Sequence, residues 1–117
     1  QVINWTHSDQ ERRISVPIGV AYGTDPQLTI DTLVKVASET NDVLDNPPPL
    51  AFFLRFGAST MDFELRAWVN NGDIINEVNS RLCVAVYNRF KEVGISIPFP
   101  QQDIYVRSLP EGFGSQA

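Results

Sequence analysis

Asp62 and Glu64 are the two residues of this sequence whose type and spacing come closest to a catalytic or metal-binding pair. They lie two residues apart in an alternating stretch, so a β-strand would place both carboxylates on one face, as a carboxylate pair or a weak cation site. Arg55 and Arg66 lie nearby and favour a simpler interpretation, a solvated face whose charges are paired. We therefore expect no catalytic or metal site here.

His7 and Cys83 are the single histidine and the single cysteine of the chain. A lone histidine in a loop is usually solvated, so we expect neither proton transfer nor metal binding from His7. Cys83 has apolar neighbours in a helical pattern, which predicts a small buried core residue rather than a reactive thiol. An enzyme needs several converging groups, and the sequence has no Gly-x-Ser-x-Gly motif and no glycine-rich phosphate loop. It therefore predicts a protein without catalysis and without a cofactor.

Length and composition are those of one globular domain. The chain has 117 residues, of which 43% are apolar and 20% are charged, and these are ordinary values. The formal net charge of −5 argues against a nucleic-acid partner, whose phosphates require clustered Lys and Arg. One cysteine permits no internal disulfide and suits a reducing compartment. No run approaches the roughly 20 apolar residues of a membrane helix, and because the chain starts at Gln1 we expect a piece of a longer protein.

Alternating apolar residues predict a first, central strand at Arg12–Tyr22, in which Pro17 should cause a bulge or a one-sided gap in pairing. Asp25 and Pro26 are then a typical start of a helix, as the N-cap and the first helical residue. The helical pattern fades by Asn41. Its expected apolar stripe consists of Leu28, Ile30, Leu33, Val34 and Ala37.

The second half of the chain predicts two more strands, Ala51–Phe56 and Met61–Val69, followed by a second helix. Asp73 is the expected cap, and the helix should end at Gly94, because glycine readily adopts the left-handed conformation of a C-cap. Alternation after Gly94 then predicts a short edge strand, since its prolines cannot donate ladder bonds. The buried stripe of the helix is expected to contain Ile75, Val78, Leu82, Val86 and Phe90.

The order strand, helix, strand, strand, helix, strand predicts an α+β fold, a ferredoxin-like βαββαβ sandwich with a four-stranded sheet and two helices on one face. This domain should occupy residues 12–101, followed by a strand at 102–109 and a flexible tail at 110–117. The residues expected to face each other across the core are Val16, Ile18, Leu33, Phe63, Leu65, Leu82 and Val86.

The last stretch with strand character has no partner left in the chain. Ile104 and Val106 alternate with other residues, so that one side of the strand is apolar. A lone strand exposes unpaired backbone groups and is not stable by itself in water, so we expect pairing between copies of the protein. The residues of this expected oligomer interface are Gln102, Asp103, Ile104, Tyr105, Val106 and Arg107.

The stretch from Gly94 to Arg107 closely resembles the C-terminal end of the cytoplasmic domain of small-conductance mechanosensitive channels (MscS-like). Further motifs that resemble this family follow in the family's order, and the set covers the chain from about Asn4 to Arg107. Each motif is weak alone, but the ordered set is specific. They are Asn4-Trp5-Thr6, Pro17–Gly23, Val43-Leu44 before Pro47–Pro49, Phe56–Ser59 and Phe63-Glu64-Leu65-Arg66.

The resemblance implies a structural role in the hollow cage below a tension-gated pore, in the cytoplasmic portion of a bacterial inner-membrane protein. By resemblance, the subunits form a homoheptamer, and ions and small osmolytes pass through gaps between them on hypo-osmotic shock. Residues 102–109 would form one strand of a small parallel barrel, which leaves no strand edge unpaired. Residues 1–11 would be the exit from an upstream β-domain. Contact with the membrane would come only through upstream helices.

The residues by themselves lead to a ferredoxin-like domain with an intermolecular strand, and they leave an alternative open. That alternative is a freestanding regulatory module that binds a small ligand between subunits. Other functions of the fold do not match: acylphosphatases use an arginine after the first strand, metallochaperones need Cys-x-x-Cys, and RNA-binding members need exposed aromatic residues beside basic ones. Apolar spans encoded upstream of Gln1 would favour the channel domain.

Overall fold

Three strands and two helices follow one another in residues 12–98, the part of the chain that the computed structural model describes. The elements are β1 Arg12–Ala21, α1 Pro26–Glu39, β2 Leu50–Phe56, β3 Thr60–Val69 and α2 Ile75–Val93, with a short 3₁₀ turn at Gly72–Ile74 before α2. Five of the six elements that the sequence predicts for residues 12–101 are therefore present. Neither of these two helices is long and apolar enough to cross a membrane.

β3 is the middle strand of the sheet, and the described strands have the order β1-β3-β2. Both neighbours run antiparallel to β3. β1 and β2 therefore run parallel to each other, with α1 as the connection between them, which is the arrangement of a split βαβ unit. α1 packs over β2 and β3, and α2 packs over β1, so that both helices cover the same face of the sheet.

The predicted fourth strand is not formed in the described residues. Ile95–Pro98 follow α2 without a ladder, and one backbone hydrogen bond joins them to β1, from the Ala21 N–H to the Ser96 carbonyl at 3.0 Å. Pro98 has no N–H with which to extend this pairing. The four-stranded sheet is thus corrected to three strands within residues 12–98. The predicted interface residues, 102–107, and the residue His7 lie outside the described range.

Pro17 lies in a strand at the edge of the described sheet rather than in a central strand. The register between β1 and β3 passes through Pro17↔Glu64 without interruption, so Pro17 causes no bulge. The second possibility, a gap in pairing on one side only, agrees with the described sheet, in which β1 is paired on the β3 side alone. The irregularity of the sheet lies in β2 instead, between Phe53 and Arg55. A proline is tolerated in β1 because its missing N–H costs no bond on an unpaired edge.

α1 begins as the sequence predicts, but a different face of the helix is buried. The Asp25 carboxylate accepts hydrogen bonds from the N–H groups of Gln27 at 2.9 Å and Leu28 at 3.3 Å, and Pro26 is the first helical residue. Leu28, placed in the predicted stripe, is 41% exposed, whereas Thr29 is fully buried. Its hydroxyl donates to the Asp25 carbonyl at 3.0 Å, so the burial of Thr29 leaves no unpaired donor. The buried residues of α1 are Thr29, Thr32, Leu33, Val36 and Ala37.

α2 starts after a 3₁₀ turn, and this turn changes the cap. The Asn71 side chain accepts a hydrogen bond from the Asp73 N–H at 2.9 Å and so caps the 3₁₀ turn. α2 itself begins after Ile74 without a side-chain cap, so the prediction of Asp73 as its cap is wrong. The C-terminal end is confirmed, because Gly94 adopts the left-handed conformation with φ of 82°. Four residues of the predicted stripe are buried, and Ile75 is partly buried. The four are Val78, Leu82, Val86 and Phe90.

The core lies between the sheet and the two helices. Alternate residues of β1 and β3 face it, and Phe63 of β3 stacks on Phe53 of β2 with ring centroids 4.7 Å apart. The seven residues that the sequence predicts to face each other across the core are all buried, so this prediction is confirmed. These residues are Val16, Ile18, Leu33, Phe63, Leu65, Leu82 and Val86.

We predict that Leu82→Ala lowers the free energy of unfolding by about 2–5 kcal/mol, because it removes a fully buried side chain and leaves a cavity. Val84→Ala is the matched control on the exposed face of the same helix and should change it by less than about 0.5 kcal/mol. Urea denaturation followed by circular dichroism measures both values. Equal losses in the two variants would contradict the assignment of the buried face.

Candidate interaction surface

Asp62 and Glu64, the candidate carboxylate pair, each contact a different arginine. Arg66 Nε lies 2.7 Å from Glu64 Oε1, and Arg55 Nε lies 3.1 Å from Asp62 Oδ2. The Thr60 hydroxyl also donates to Asp62 at 2.8 Å. Both pairs are on the open face of the sheet, opposite the helices. The charges are therefore paired as the simpler interpretation expects, but Asp62, Glu64 and Arg66 are partly buried rather than solvated.

Arg55 reaches Asp62 because of the irregularity in β2. Strict alternation would turn Arg55 to the same side as Phe53, toward the core. Phe53 pairs with Phe63 and Arg55 pairs with Asp62, so Leu54 is an extra residue in β2 and the register shifts by one. This bulge brings Arg55 to the open face. Within residues 12–98, no cluster of three or more His, Cys, Asp or Glu side chains could hold a metal ion.

Cys83 is exposed, and its predicted burial is wrong. The buried stripe of α2 contains Leu82 and Val86, and a helix turns by about 100° per residue, so Cys83 falls beside the stripe rather than within it. Its neighbours Val84 and Tyr87 are also exposed, at 58% and 57%. The apolar character of this helix thus extends beyond the face that packs on the sheet.

β2 carries an apolar surface that the sequence patterns do not assign. Leu50 and Phe52 lie on the open face, opposite Arg66 and Glu64 of β3, and both remain exposed. The guanidinium of Arg66 lies over the Phe52 ring at 4.8 Å from its centroid. We call the exposed apolar residues of this strand the β2 surface. It consists of Leu50, Phe52, Leu54 and Phe56.

One signal for this surface is present in the sequence. β3 alternates between apolar and charged residues, as does a strand with one covered face, whereas Leu50–Leu54 is apolar at every position. A strand that is apolar on both sides indicates that both sides are covered. In the described sheet β2 is an edge strand without the lysine or proline that commonly protects such an edge. The β2 surface therefore has the properties of a contact surface.

Two arginines of α2 hold the end of α1 and the turn that follows. Arg81 donates to Asp42 and to the Asn41 carbonyl, both at 3.0 Å, and Arg89 donates to Glu39 at 2.7 Å. The hydrogen bond from Arg89 is the main reason why the pKa of Glu39 is lower than usual. Because the pKa of Glu39 is lowered, its contact with Arg89 stabilises the fold at pH values above the ordinary carboxyl pKa. This stabilisation is lost as the pH falls through the lowered pKa of Glu39.

Comparison with known proteins identifies the kind of domain that this three-stranded α+β architecture represents. The family described as "Mechanosensitive ion channel MscS, C-terminal" matches residues 14–97. An uncharacterized MscS family protein of Haemophilus influenzae is 37% identical over 112 residues, which cover 96% of this chain and 10% of that protein. The mechanosensitive channel MscK of Escherichia coli is 34% identical over 108 residues, covering 92% of this chain and 10% of the channel.

The fold agrees with a solved structure of the same family. The closed-state crystal structure of Helicobacter pylori MscS matches with a TM-score of 0.74 and 30% sequence identity, over 87% of this chain and 40% of that one. This chain therefore belongs to the MscS family of mechanosensitive ion channels, as a C-terminal domain. It spans about a tenth of the length of the Haemophilus and Escherichia relatives.

We predict that replacing Phe52 and Leu54 by serine lowers the free energy of unfolding by no more than about 2 kcal/mol, because the two side chains are 39% and 48% exposed and lose only part of the burial of a core residue. The same double variant should bind less of an apolar fluorescent dye, since it removes half of the β2 surface. Val84→Ser on α2 is the control for loss of an exposed apolar residue elsewhere. Unchanged dye binding in the double variant would show that the β2 surface is not a continuous apolar patch.

Proposed function

We propose that this chain is the cytoplasmic cage domain of a tension-gated channel that releases ions and small osmolytes on hypo-osmotic shock. The observation that carries the proposal is the family match over residues 14–97, which includes nearly all of β1 and every later element through α2. The role is structural: the domain stands below the pore and contributes to a chamber through which permeating solutes pass.

The proposed partner of the domain is the same domain in other subunits, in a homoheptamer. Residues 102–107 have the alternation of a strand, and in the proposed assembly they pair with the equivalent residues of neighbouring subunits in a small parallel barrel. The β2 surface supports self-association as well, because four large apolar side chains on one edge strand are costly to leave in water. A second copy of the chain is the occupant that we propose for both.

The proposed ferredoxin-like frame has a fourth strand that is reduced to a short segment. The strand order β1-β3-β2 leaves the outer edge of β1 free for such a strand, and the bond between Ala21 and Ser96 lies on this edge. The buried side chain of Ile95 supports the same placement.

A role without catalysis is part of the proposal. The carboxylates of the open face are engaged by arginines, with Glu64 held at 2.7 Å and Asp62 at 3.1 Å. The Escherichia coli relative MscK is a mechanosensitive channel. We place the domain on the cytoplasmic side of a bacterial inner membrane, with membrane contact made by helices outside this chain.

A chimeric channel tests the proposed function. The C-terminal region of Helicobacter pylori MscS that matches this domain is replaced by the present chain, and the chimera is expressed in bacteria that lack mechanosensitive channels. We expect tension-activated currents in membrane patches and improved survival of a hypo-osmotic shock. Leu82→Asp in the same chimera is the control, because a buried charge unfolds the domain and should abolish both.

The proposal would be overturned by a chimera that reaches the membrane in normal amount and shows neither current nor survival. Equal activity of the Leu82→Asp control would count against it too, since the cage would then not need this domain to be folded.

We predict that removal of residues 102–117 leaves the free energy of unfolding of the isolated chain unchanged within about 0.5 kcal/mol, because these residues are proposed to contact other subunits. In the chimera the same deletion should weaken subunit assembly, measured on native gels after solubilisation. A loss of several kcal/mol in the denaturation of the isolated chain would show that the segment belongs to its own subunit's fold.

A further inference from the structure

The outer edge of β1 controls how far the chain can extend the sheet after α2. The Ala21 N–H donates to the Ser96 carbonyl at 3.0 Å, so the Ala21 N–H points away from β3. Backbone groups alternate in direction along an antiparallel strand, and Gly19, Pro17 and Ser15 therefore face the same outer edge. The N–H that Pro17 lacks is thus one that would have pointed outward. This explains why the pairing of β1 with β3 continues without interruption through Pro17.

The chain that leaves α2 lacks donors at the matching positions. Ser96 directs its carbonyl toward β1, so an extended continuation would turn Pro98 and Pro100 toward β1 as well. In the register set by the Ser96 bond, Gly19 would lie opposite Pro98, and Pro17 would lie opposite Pro100. The first of these pairs has a single N–H donor, and the second has none.

The described residues agree with this count of donors. Ile95–Pro98 form no strand, and Ser96 accepts the backbone hydrogen bond that joins this segment to β1. One missing bond is common at the edge of a sheet, but a pair that lacks both bonds interrupts the ladder. Within residues 12–98, the sheet is therefore not extended beyond the outer edge of β1.

Beyond the prolines, the same register would again offer complete pairs. It would set Gln102 opposite Ser15 and Ile104 opposite Arg13, and all four residues have an N–H to donate. Without the prolines, the free edge of β1 could thus capture the strand that is proposed to pair between subunits. Such capture would compete with assembly, because one strand cannot pair in both places through the same backbone groups.

We propose that Pro17, Pro98 and Pro100 close the outer edge of β1 to the C-terminal strand of its own subunit, so that residues 102–107 are left to pair with a second copy of the chain. The inference rests on the proposed function, since it concerns the partner of the proposed assembly strand. It adds the reason why that partner is another subunit.

Amide hydrogen exchange on the 117-residue chain tests the proposal directly. In the wild type, the N–H groups of Gly19 and Ser15 should exchange quickly, because no strand of the described residues pairs with this edge of β1. The triple variant Pro17→Thr, Pro98→Val, Pro100→Val restores the missing donors. Exchange at both amides should slow by at least about fivefold, the factor expected for one net hydrogen bond. Pro48→Val, at an exposed proline of the connector, is the matched control and should leave both rates unchanged.

Two further variants keep the test decisive. Pro100→Val alone changes no described residue and should slow exchange at Ser15 to a smaller extent. Deletion of residues 102–117 from the triple variant should restore fast exchange at Ser15, because the capturing strand is gone. The proposal is overturned if the wild type already protects Ser15, or if the triple variant exchanges at the wild-type rate.

The chimeric channel separates this proposal from the proposed function. The triple variant in the chimera should lower the fraction of assembled oligomer on native gels, whereas Pro48→Val should not. Slowed exchange in the triple variant together with an inactive wild-type chimera would refute the channel role but not the proposal about the three prolines. An active wild-type chimera whose assembly is unaffected by the triple variant would refute only the proposal about the prolines.

Discussion

The alternation of β3 is the constraint on which the rest of the domain depends. Met61, Phe63, Leu65, Ala67 and Val69 are at most 5% exposed, and the residues between them are only partly buried. Because β3 is the middle strand, both neighbours take their register from it and inherit its two faces. A slip by one residue would turn five apolar side chains to the open face. Both helices then pack on the single apolar face of the sheet, with their buried residues against it.

The N–H groups of the backbone limit which strand edges of this sheet can pair, just as the side chains determine which face of the sheet is buried. Proline keeps the extended conformation of a strand but removes the N–H that a neighbour needs. Pro17 costs nothing in the pairing of β1 with β3, since its ring is on the side that β3 does not use. The same residue makes the other edge of β1 a poor template. Proline on an edge strand is a common way to keep that edge from pairing with the wrong segment.

The open face combines charges that are paired with apolar side chains that are not covered. Arg66 contributes to both, because it contacts Glu64 at 2.7 Å and lies over the Phe52 ring. Exposed ion pairs contribute little to stability, whereas exposed apolar area favours association in proportion to its size. The face is therefore better suited to contact with another protein surface than to binding a small charged substrate. This agrees with a structural part of a larger assembly.

The sequence by itself determined the two helices and the first three strands, their order, most of the core and the family, because periodicity, caps and ordered motifs are local properties of the chain. It also indicated that Asp62 and Glu64 are paired with nearby arginines. Only the tertiary structure decided the burial of Thr29 and the exposure of Leu28 and Cys83, since the rotation of a helix depends on the surface that it meets. The bulge that turns Arg55 outward depends on the partner strand. The absence of a fourth strand in the described residues has the same origin, because a ladder needs donors from two segments that are far apart in sequence.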